Sequence, residues 1–180
     1  MTDNAPDGIK ARLKEAYDAI ADTYNAVFTK PDDLARINYL NVLLSHIQHD
    51  AGDTVEVLEL GCGAGVPATK YLLDIKEPEI QVTGYDLSTS QLDLARKNLS
   101  GYEDRLTLVE GDMTILSFPD RSFDAVTSFY SIIHLPREEQ TQLIDQIAGW
   151  LKPGGLLLAN FAVDESKATI MEKWLDEEKG

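Results

Sequence analysis

The run Val55-Glu56-Val57-Leu58-Glu59-Leu60-Gly61-Cys62-Gly63-Ala64-Gly65-Val66-Pro67 constrains this chain more than any other stretch. A short apolar segment that stops at clustered glycines and leads into helix-like sequence predicts a strand, a tight turn and a helix start. Glycine lets such a turn take φ > 0 and lets a ligand approach the backbone with no Cβ in between. Pro67, placed in a first helical turn, forfeits no hydrogen bond there. Counted from Gly61, glycines hold the first, third and fifth places, and Val66 holds the sixth. A dinucleotide-binding turn wants glycine at the first, third and sixth, so the loop departs from that pattern. The alternative is a plain glycine turn between a strand and a helix.

Upstream, Leu13, Tyr17, Ile20, Tyr24 and Val27 stand at helical spacing between Gly8 and Phe28. Leu34, Ile37, Leu40, Leu44 and Ile47 repeat the pattern from Asp33 onward, so two amphipathic helices precede the glycine strand. Lys30-Pro31-Asp32-Asp33 between them reads as a proline turn with an aspartate cap. From there the chain alternates: strand 54–60, helix 66–76, strand 80–85, helix 88–100, strands 106–110 and 123–129, helix 136–151 and strand 155–161. That alternation predicts an α/β fold, a mostly parallel sheet covered by helices on both faces. Ser88-Thr89-Ser90-Gln91 is a capping-box sequence flanked by Leu87 and Leu92 as a hydrophobic staple. It fixes Asp86 at the C-terminal end of the second strand.

One hundred and eighty residues suit one domain that buries a sizeable core without disulfides or metals. With Asp+Glu at 31 against Lys+Arg at 16, the net charge of −15 argues against nucleic acid or an anionic membrane as the main partner. Small neutral or cationic substrates fit better. Cys62 is the single cysteine, which excludes a disulfide framework and a cysteine-rich metal site and suits a reducing interior. The polar start Met1-Thr2-Asp3-Asn4-Ala5-Pro6-Asp7 has no signal-peptide core, and no stretch approaches the roughly 18 apolar residues of a membrane span. The chain therefore reads as cytoplasmic.

With Glu59 two residues ahead of Gly61, the loop is E-x-G-x-G-x-G and resembles the first motif of the class I S-adenosylmethionine-dependent methyltransferases. Asp86, Gly111-Asp112-Met113 and Leu151-Lys152-Pro153-Gly154-Gly155 follow in that family's order, so the likeness covers roughly residues 10–165. The resemblance implies a Rossmann-like three-layer α/β/α sandwich and S-adenosylmethionine as cofactor, with S-adenosylhomocysteine as product. Its implied site comprises Glu59, Gly61, Cys62, Gly63, Gly65, Asp86, Leu87, Asp112, Met113 and Phe129. Asp86, some twenty residues past the glycines at a strand tip, would accept the ribose hydroxyl protons. Asp112 would accept the adenine amine while Met113 packs on the ring. Carbonyls near Phe129 and Tyr130 would receive the ligand's ammonium.

The family's Asn/Asp-Pro-Pro-Tyr signature of amino-group methylation is replaced by Ser128-Phe129-Tyr130-Ser131, and the clustered acids of the metal-dependent catechol type are missing, so no metal is expected. His134, just after a strand whose C-terminal edge faces the ligand crevice, is either a general base or an anchor for the loop before Leu135-Pro136. Tyr24, and with less weight Tyr17, either close the pocket over the cofactor or pack at helical spacing in the core. His134, Tyr24 and Tyr130 are the candidate catalytic residues. His46 and His49 read as surface residues.

The organisation expected is a flexible 1–7, a helical cap over 8–49, a cofactor-binding core over 50–163 and a C-terminal helix over 164–180. The family's sheet usually has seven strands, the last two a hairpin; five are counted here, and strands six and seven are absent from the sequence. Strand 156–161 would then be an apolar edge that invites cover by the final helix, a homodimer or strand exchange. Two functions follow. The first is methyl transfer to an oxygen or nitrogen of a small molecule. The alternative is a truncated methyltransferase-like protein that binds S-adenosylmethionine or S-adenosylhomocysteine but serves as a partner subunit or catalyses a non-methylating step such as cyclisation or isomerisation.

Overall fold

The computed structural model describes residues 8–161. In chain order its elements are α1 (Ile9–Phe28), α2 (Leu34–His46), β1 (Thr54–Leu60), α3 (Ala68–Asp74), β2 (Glu79–Asp86), α4 (Thr89–Asn98), β3 (Leu106–Glu110), β4 (Phe123–Ser128), α5 (Arg137–Trp150) and β5 (Leu151–Ala159). Single 3₁₀ turns form at Met113–Ile115 and Ile132–His134.

β1 shows why the sequence folds this way. A strand sends successive side chains to opposite faces, and β1 is apolar on both. Val55 and Val57 join Leu40, Leu43, Leu72, Leu73, Ile80 and Val82 in one core. Leu58 and Leu60 join Phe123, Val126, Ile132, Leu143, Ile147 and Trp150 in the other. A strand buried on both faces belongs in the middle of a parallel sheet, and the order is β3-β2-β1-β4-β5, every pairing parallel. The strand order reverses beside β1. The C-terminal ends of β1, β2 and β4 therefore open onto one crevice, where sheets of this kind bind ligands.

Several boundaries differ from expectation for local reasons. α3 begins at Ala68 because Pro67 is its N-cap, and it stops where Ile75 turns extended. β5 starts at Leu151 rather than residue 155: Phe123 pairs with Leu151, and the register shifts before Ala125 pairs with Leu156. Asp33 caps α2 as expected, accepting from Arg36 N at 3.1 Å. Leu34, however, is 69% exposed, so the α2 stripe runs through Leu40 and Leu43.

The capping box at α4 forms by half. Ser88 Oγ accepts from Gln91 N at 3.1 Å, but Ser88 N donates to Asp86 Oδ1 at 2.9 Å. The Gln91 side chain, relieved of the reciprocal bond, turns elsewhere. Among the described residues five strands form one sheet, β5 lies at its edge, and no helix is long and apolar enough to cross a membrane. Residues 164–180, with the helix expected there, lie outside the described residues, as do residues 1–7.

Candidate active site

The loop between β1 and α3 turns back over the sheet through three left-handed glycines: Gly61 (φ 74°), Gly63 (φ 55°) and Gly65 (φ 75°). Two of them also have no room for a side chain. A Cβ on Gly61 would stand 2.2 Å from Ser131 Cβ, and one on Gly65 would stand 2.5 Å from Leu99 Cδ1. Gly63 differs: the nearest atom to its Cβ position is Gln91 Oε1 at 3.7 Å, and this glycine lines the cavity.

Asp86 anchors the loop. Gly63 N donates to its Oδ2 at 2.8 Å, while Ser88 N donates to Oδ1. Burial pushes this carboxyl above the ordinary aspartate value, and the backbone donors pull it part of the way back. With Leu87 N as a third backbone donor, the carboxylate still keeps a lone pair to accept from a ligand. Glu59 does not face this crevice but lies on the apolar side of β1, 3% exposed, with Thr69 Oγ1 donating to its Oε2 at 2.6 Å. Burial there raises its pKa to about 7, opposed by the Thr69 bond and the charge of Arg36. Cys62 is a buried free thiol that burial and the nearby Asp86 and Glu59 push well above its ordinary pKa, so it is an inert wall residue.

A cavity of about 140 Å³ lies above these groups. Gly61, Cys62, Gly63, Asp86, Leu87, Asp112, Met113, Phe129, Tyr130 and His134 all line it. Gly65 and Glu59 stand behind it as supports. Helices α1 and α2 close the opposite side with Tyr17, Tyr24, Asn25 and Arg36. Ion pairs hold α1 down, which is consistent with its burying only Ala21. Lys10 Nζ lies 2.8 Å from both Asp112 and Glu139, and Lys14 Nζ lies 3.0 Å from Glu110 and donates to Leu87 O at 3.2 Å. Asp112 Oδ1 also accepts from Thr114 N and Oγ1. Burial alone would raise Asp112, but Lys10 and Thr114 hold it below the ordinary value.

At the other end, Tyr130 follows β4 in a left-handed conformation (φ 57°), a strained choice for a non-glycine residue. Its N donates to Asn160 Oδ1 at 2.6 Å, and the Arg36 guanidinium stacks 5.3 Å from its ring centroid. Ser131 Oγ binds Leu60 O at 2.6 Å, tying the loop after β4 to the end of β1. His134 Nε2 lies 3.1 Å from Tyr17 Oη, with the rings edge to face at 5.9 Å. Burial raises Tyr17 to about 12, so its hydroxyl stays protonated. Tyr24 packs edge-on against Tyr17 at 5.6 Å. His46 and His49 are exposed and do not line the cavity, and no cluster of metal-ligating side chains occurs among the described residues.

Sequence reasoning singled out neither Gln91, Asn25, Arg36 nor Lys10, and ranked Tyr17 below Tyr24. Gln91 reads as a capping residue and Asn25 as a polar helix position. The signal available in retrospect is their place beside Asp86 and Tyr24 on the faces that meet over the crevice.

The donor set fits an adenosyl ligand. A carboxylate at the β2 tip, a glycine loop open at Gly63 and a second carboxylate beside Met113 all line one cavity. Comparison with known proteins agrees. Residues 57–155 match the family described as methyltransferase domain. Sterol 24-C-methyltransferase erg-4 of Neurospora crassa is 38% identical over 106 residues, covering 56% of this chain and 26% of that protein. The 27-O-demethylrifamycin SV methyltransferase of Amycolatopsis mediterranei is 35% identical over 123 residues, covering 67% and 43%. Among solved structures, the 4+2 cyclase SpnF superposes with a TM-score of 0.65 at 25% identity, covering 82% of this chain and 58% of that one. The chain thus spans less than half the length of these two curated relatives. Its matched domain, sheet order and glycine crevice show that it belongs to the methyltransferase domain family, of the class I, S-adenosylmethionine-dependent type.

Proposed function

We propose that this chain transfers a methyl group from S-adenosylmethionine to an oxygen or nitrogen of a small molecule, with His134 receiving the proton that leaves. The observation that carries the reading is the 3.1 Å approach of Tyr17 Oη to His134 Nε2 inside the cavity that Asp86 and the glycine loop also line. Tyr17 keeps its proton, so it donates and Nε2 presents its lone pair. An acceptor hydroxyl or amine that displaces Tyr17 from this nitrogen finds a base already aimed. The cofactor supplies a methyl activated on a sulfonium, so the protein's remaining task is alignment, an effect worth roughly 7–11 kcal/mol of barrier. Strain at Tyr130 and the stack of Arg36 on its ring give that end of the cavity a fixed shape.

In this reading Asp86 and Leu87 hold the ribose end, Asp112 and Met113 the adenine, and the carbonyls near Phe129 and Tyr130 the ammonium. Tyr24 closes the pocket. A buried free thiol and the acidic charge support a cytoplasmic setting and a small-molecule rather than nucleic-acid or membrane substrate. The exposed apolar Leu157 on the edge strand β5 and Phe161 just past its end (36% and 47%) support pairing of that edge with a second copy.

The test is methyl transfer from radiolabelled S-adenosylmethionine to a panel of phenols, hydroxylated acids and amines. Burial lowers the His134 pKa, opposed by the facing Tyr130 carbonyl. The base therefore stays neutral below its usual range, and the acid limb of kcat/KM falls below pH 6.5. His134→Gln should cost about 10²-fold in kcat. An unchanged rate and pH profile in that variant would refute the role.

The second reading, a non-methylating step with the cofactor bound, is favoured by the likeness to the 4+2 cyclase over 82% of the chain. It predicts turnover that S-adenosylhomocysteine supports as well as S-adenosylmethionine does, with no label transferred.

A further inference from the structure

Among the described residues nine large apolar side chains are exposed, and four of them gather at one end of the cavity. Phe28 ends α1, its ring 5.1 Å from that of the cavity residue Tyr24. Leu34 opens α2, two positions before Arg36, whose guanidinium lies over the Tyr130 ring. Tyr130 lines the cavity yet is 52% exposed. Its N–H is held by Asn160, so Phe161, the next residue, leaves the sheet beside it. Two helix ends, the loop after β4 and the exit of β5 thus build one apolar rim. Single exposed apolar residues are ordinary, but a cluster drawn from four separate parts of the chain marks an interaction surface.

The chain itself supplies a segment that fits this rim. Phe161 is both a rim residue and the last described one, and residues 162–180 follow it. Within them Ile170, Met171, Trp174 and Leu175 stand at i, i+1, i+4 and i+5, one stripe of a helix, while Glu172, Lys173 and Asp176 fall on the opposite side. A helix over 166–178 would run roughly 20 Å, and residues 162–165 give roughly 13 Å of reach before it. That is enough to turn back from Phe161 onto Leu34 and Phe28. Aromatic side chains and methionine are enriched at the centre of such contacts, and an amphipathic helix in an apolar groove is a recurring mode of docking. Tethering decides between this segment and a separate partner: a short linker holds the segment at an effective concentration on the order of millimolar, where a free protein of similar chemistry competes poorly.

We infer that residues 166–178 dock as an amphipathic helix on this rim, with Ile170, Met171, Trp174 and Leu175 against Phe28, Leu34, Tyr130 and Phe161. The segment forms the outer wall of the cavity at the end assigned above to the acceptor. Its docking does not depend on the methyl-transfer reading. The ladder edge of β5 stays free beneath it, so pairing of that edge with a second copy is a separate matter.

Acrylamide quenching of the full chain tests the docking. There are two tryptophans, and Trp150 is buried in the core, so subtracting the Trp174→Phe protein isolates the signal of Trp174. That signal should be shielded in the wild type. Leu34→Asp and Phe161→Asp should each raise its quenching constant several-fold, because losing a buried apolar contact shifts the docked-to-free ratio by roughly tenfold. Leu157→Asp, on the β5 edge, should leave it unchanged. The same substitutions in the Trp174→Phe background report on Trp150 and must leave it shielded, which separates undocking from unfolding. A Trp174 quenched in the wild type as readily as free tryptophan overturns the inference. So does shielding that neither rim substitution lowers, whether or not Leu157→Asp removes it. Shielding that disappears on dilution, with light scattering showing a dimer come apart, assigns the rim to a second copy and overturns the inference as well.

Discussion

Replacing Glu59 by glutamine should flatten the pH dependence of this protein's stability. The carboxyl lies on the apolar face of β1, 3% exposed, and the hydrogen bond recorded for it comes from Thr69 Oγ1 at 2.6 Å. Burial raises its pKa from the ordinary 4.5 to about 7. The folded chain thus keeps this proton up to about pH 7, whereas the unfolded chain releases it near pH 4.5. A raised folded-state pKa contributes stability that is complete below the unfolded value and is lost as pH rises through the folded one. From pH 5 to pH 8 the wild type should lose about 2–3 kcal/mol relative to Glu59→Gln, at 1.36 kcal/mol for each pKa unit separating the two states. Glutamine retains an acceptor for Thr69, so the packing is kept. Urea unfolding of both proteins from pH 5 to 8 measures the difference, and every other titrating group cancels in the subtraction. A difference that stays flat, or that favours the wild type as pH rises, would mean that Glu59 is ionised in the fold.

Three further outcomes follow from the geometry. Gly61→Ala combines a left-handed φ with a Cβ placed 2.2 Å from Ser131 Cβ, and should cost about 3 kcal/mol. Gly101→Ala has a left-handed φ but open space around it, so chemical denaturation should show about 1 kcal/mol for it. Lys10→Met removes the ion pairs to Asp112 and Glu139. Its global cost should stay within about 1 kcal/mol, while hydrogen exchange across α1 rises several-fold, an effect that added salt reproduces in the wild type.

Much of the architecture was legible because its signals are local. β1 reads as a central strand because it is apolar on both faces, and Gly61, Gly63 and Gly65 mark the turn that follows. The capping sequence at Ser88 locates α4 and so fixes Asp86 at the crevice. The site was less legible wherever one residue's role depends on a competitor. Gln91 matches a capping residue until Asp86 takes the Ser88 N–H, a tertiary event no spacing encodes. Tyr17 stands at ordinary core spacing in α1, and its bond to His134 spans 117 positions of chain. Arg36 sits in the first turn of a helix whose sequence stripe begins at the exposed Leu34, so the face that meets Tyr130 could not be read from periodicity. The motif points Glu59 toward the cofactor, yet its side chain lies behind the loop with Thr69.

Which nucleotide ligand the crevice accepts decides the role of the glycine loop and Asp86 most directly. Isothermal titration of the chain with S-adenosylmethionine, S-adenosylhomocysteine and NAD should give micromolar or tighter binding for the two adenosyl-sulfur ligands and none for NAD. Asp86→Asn should weaken both by at least tenfold. Binding of NAD, or of neither adenosyl-sulfur ligand, would contradict the assignment of the glycine loop and Asp86 on which the rest depends.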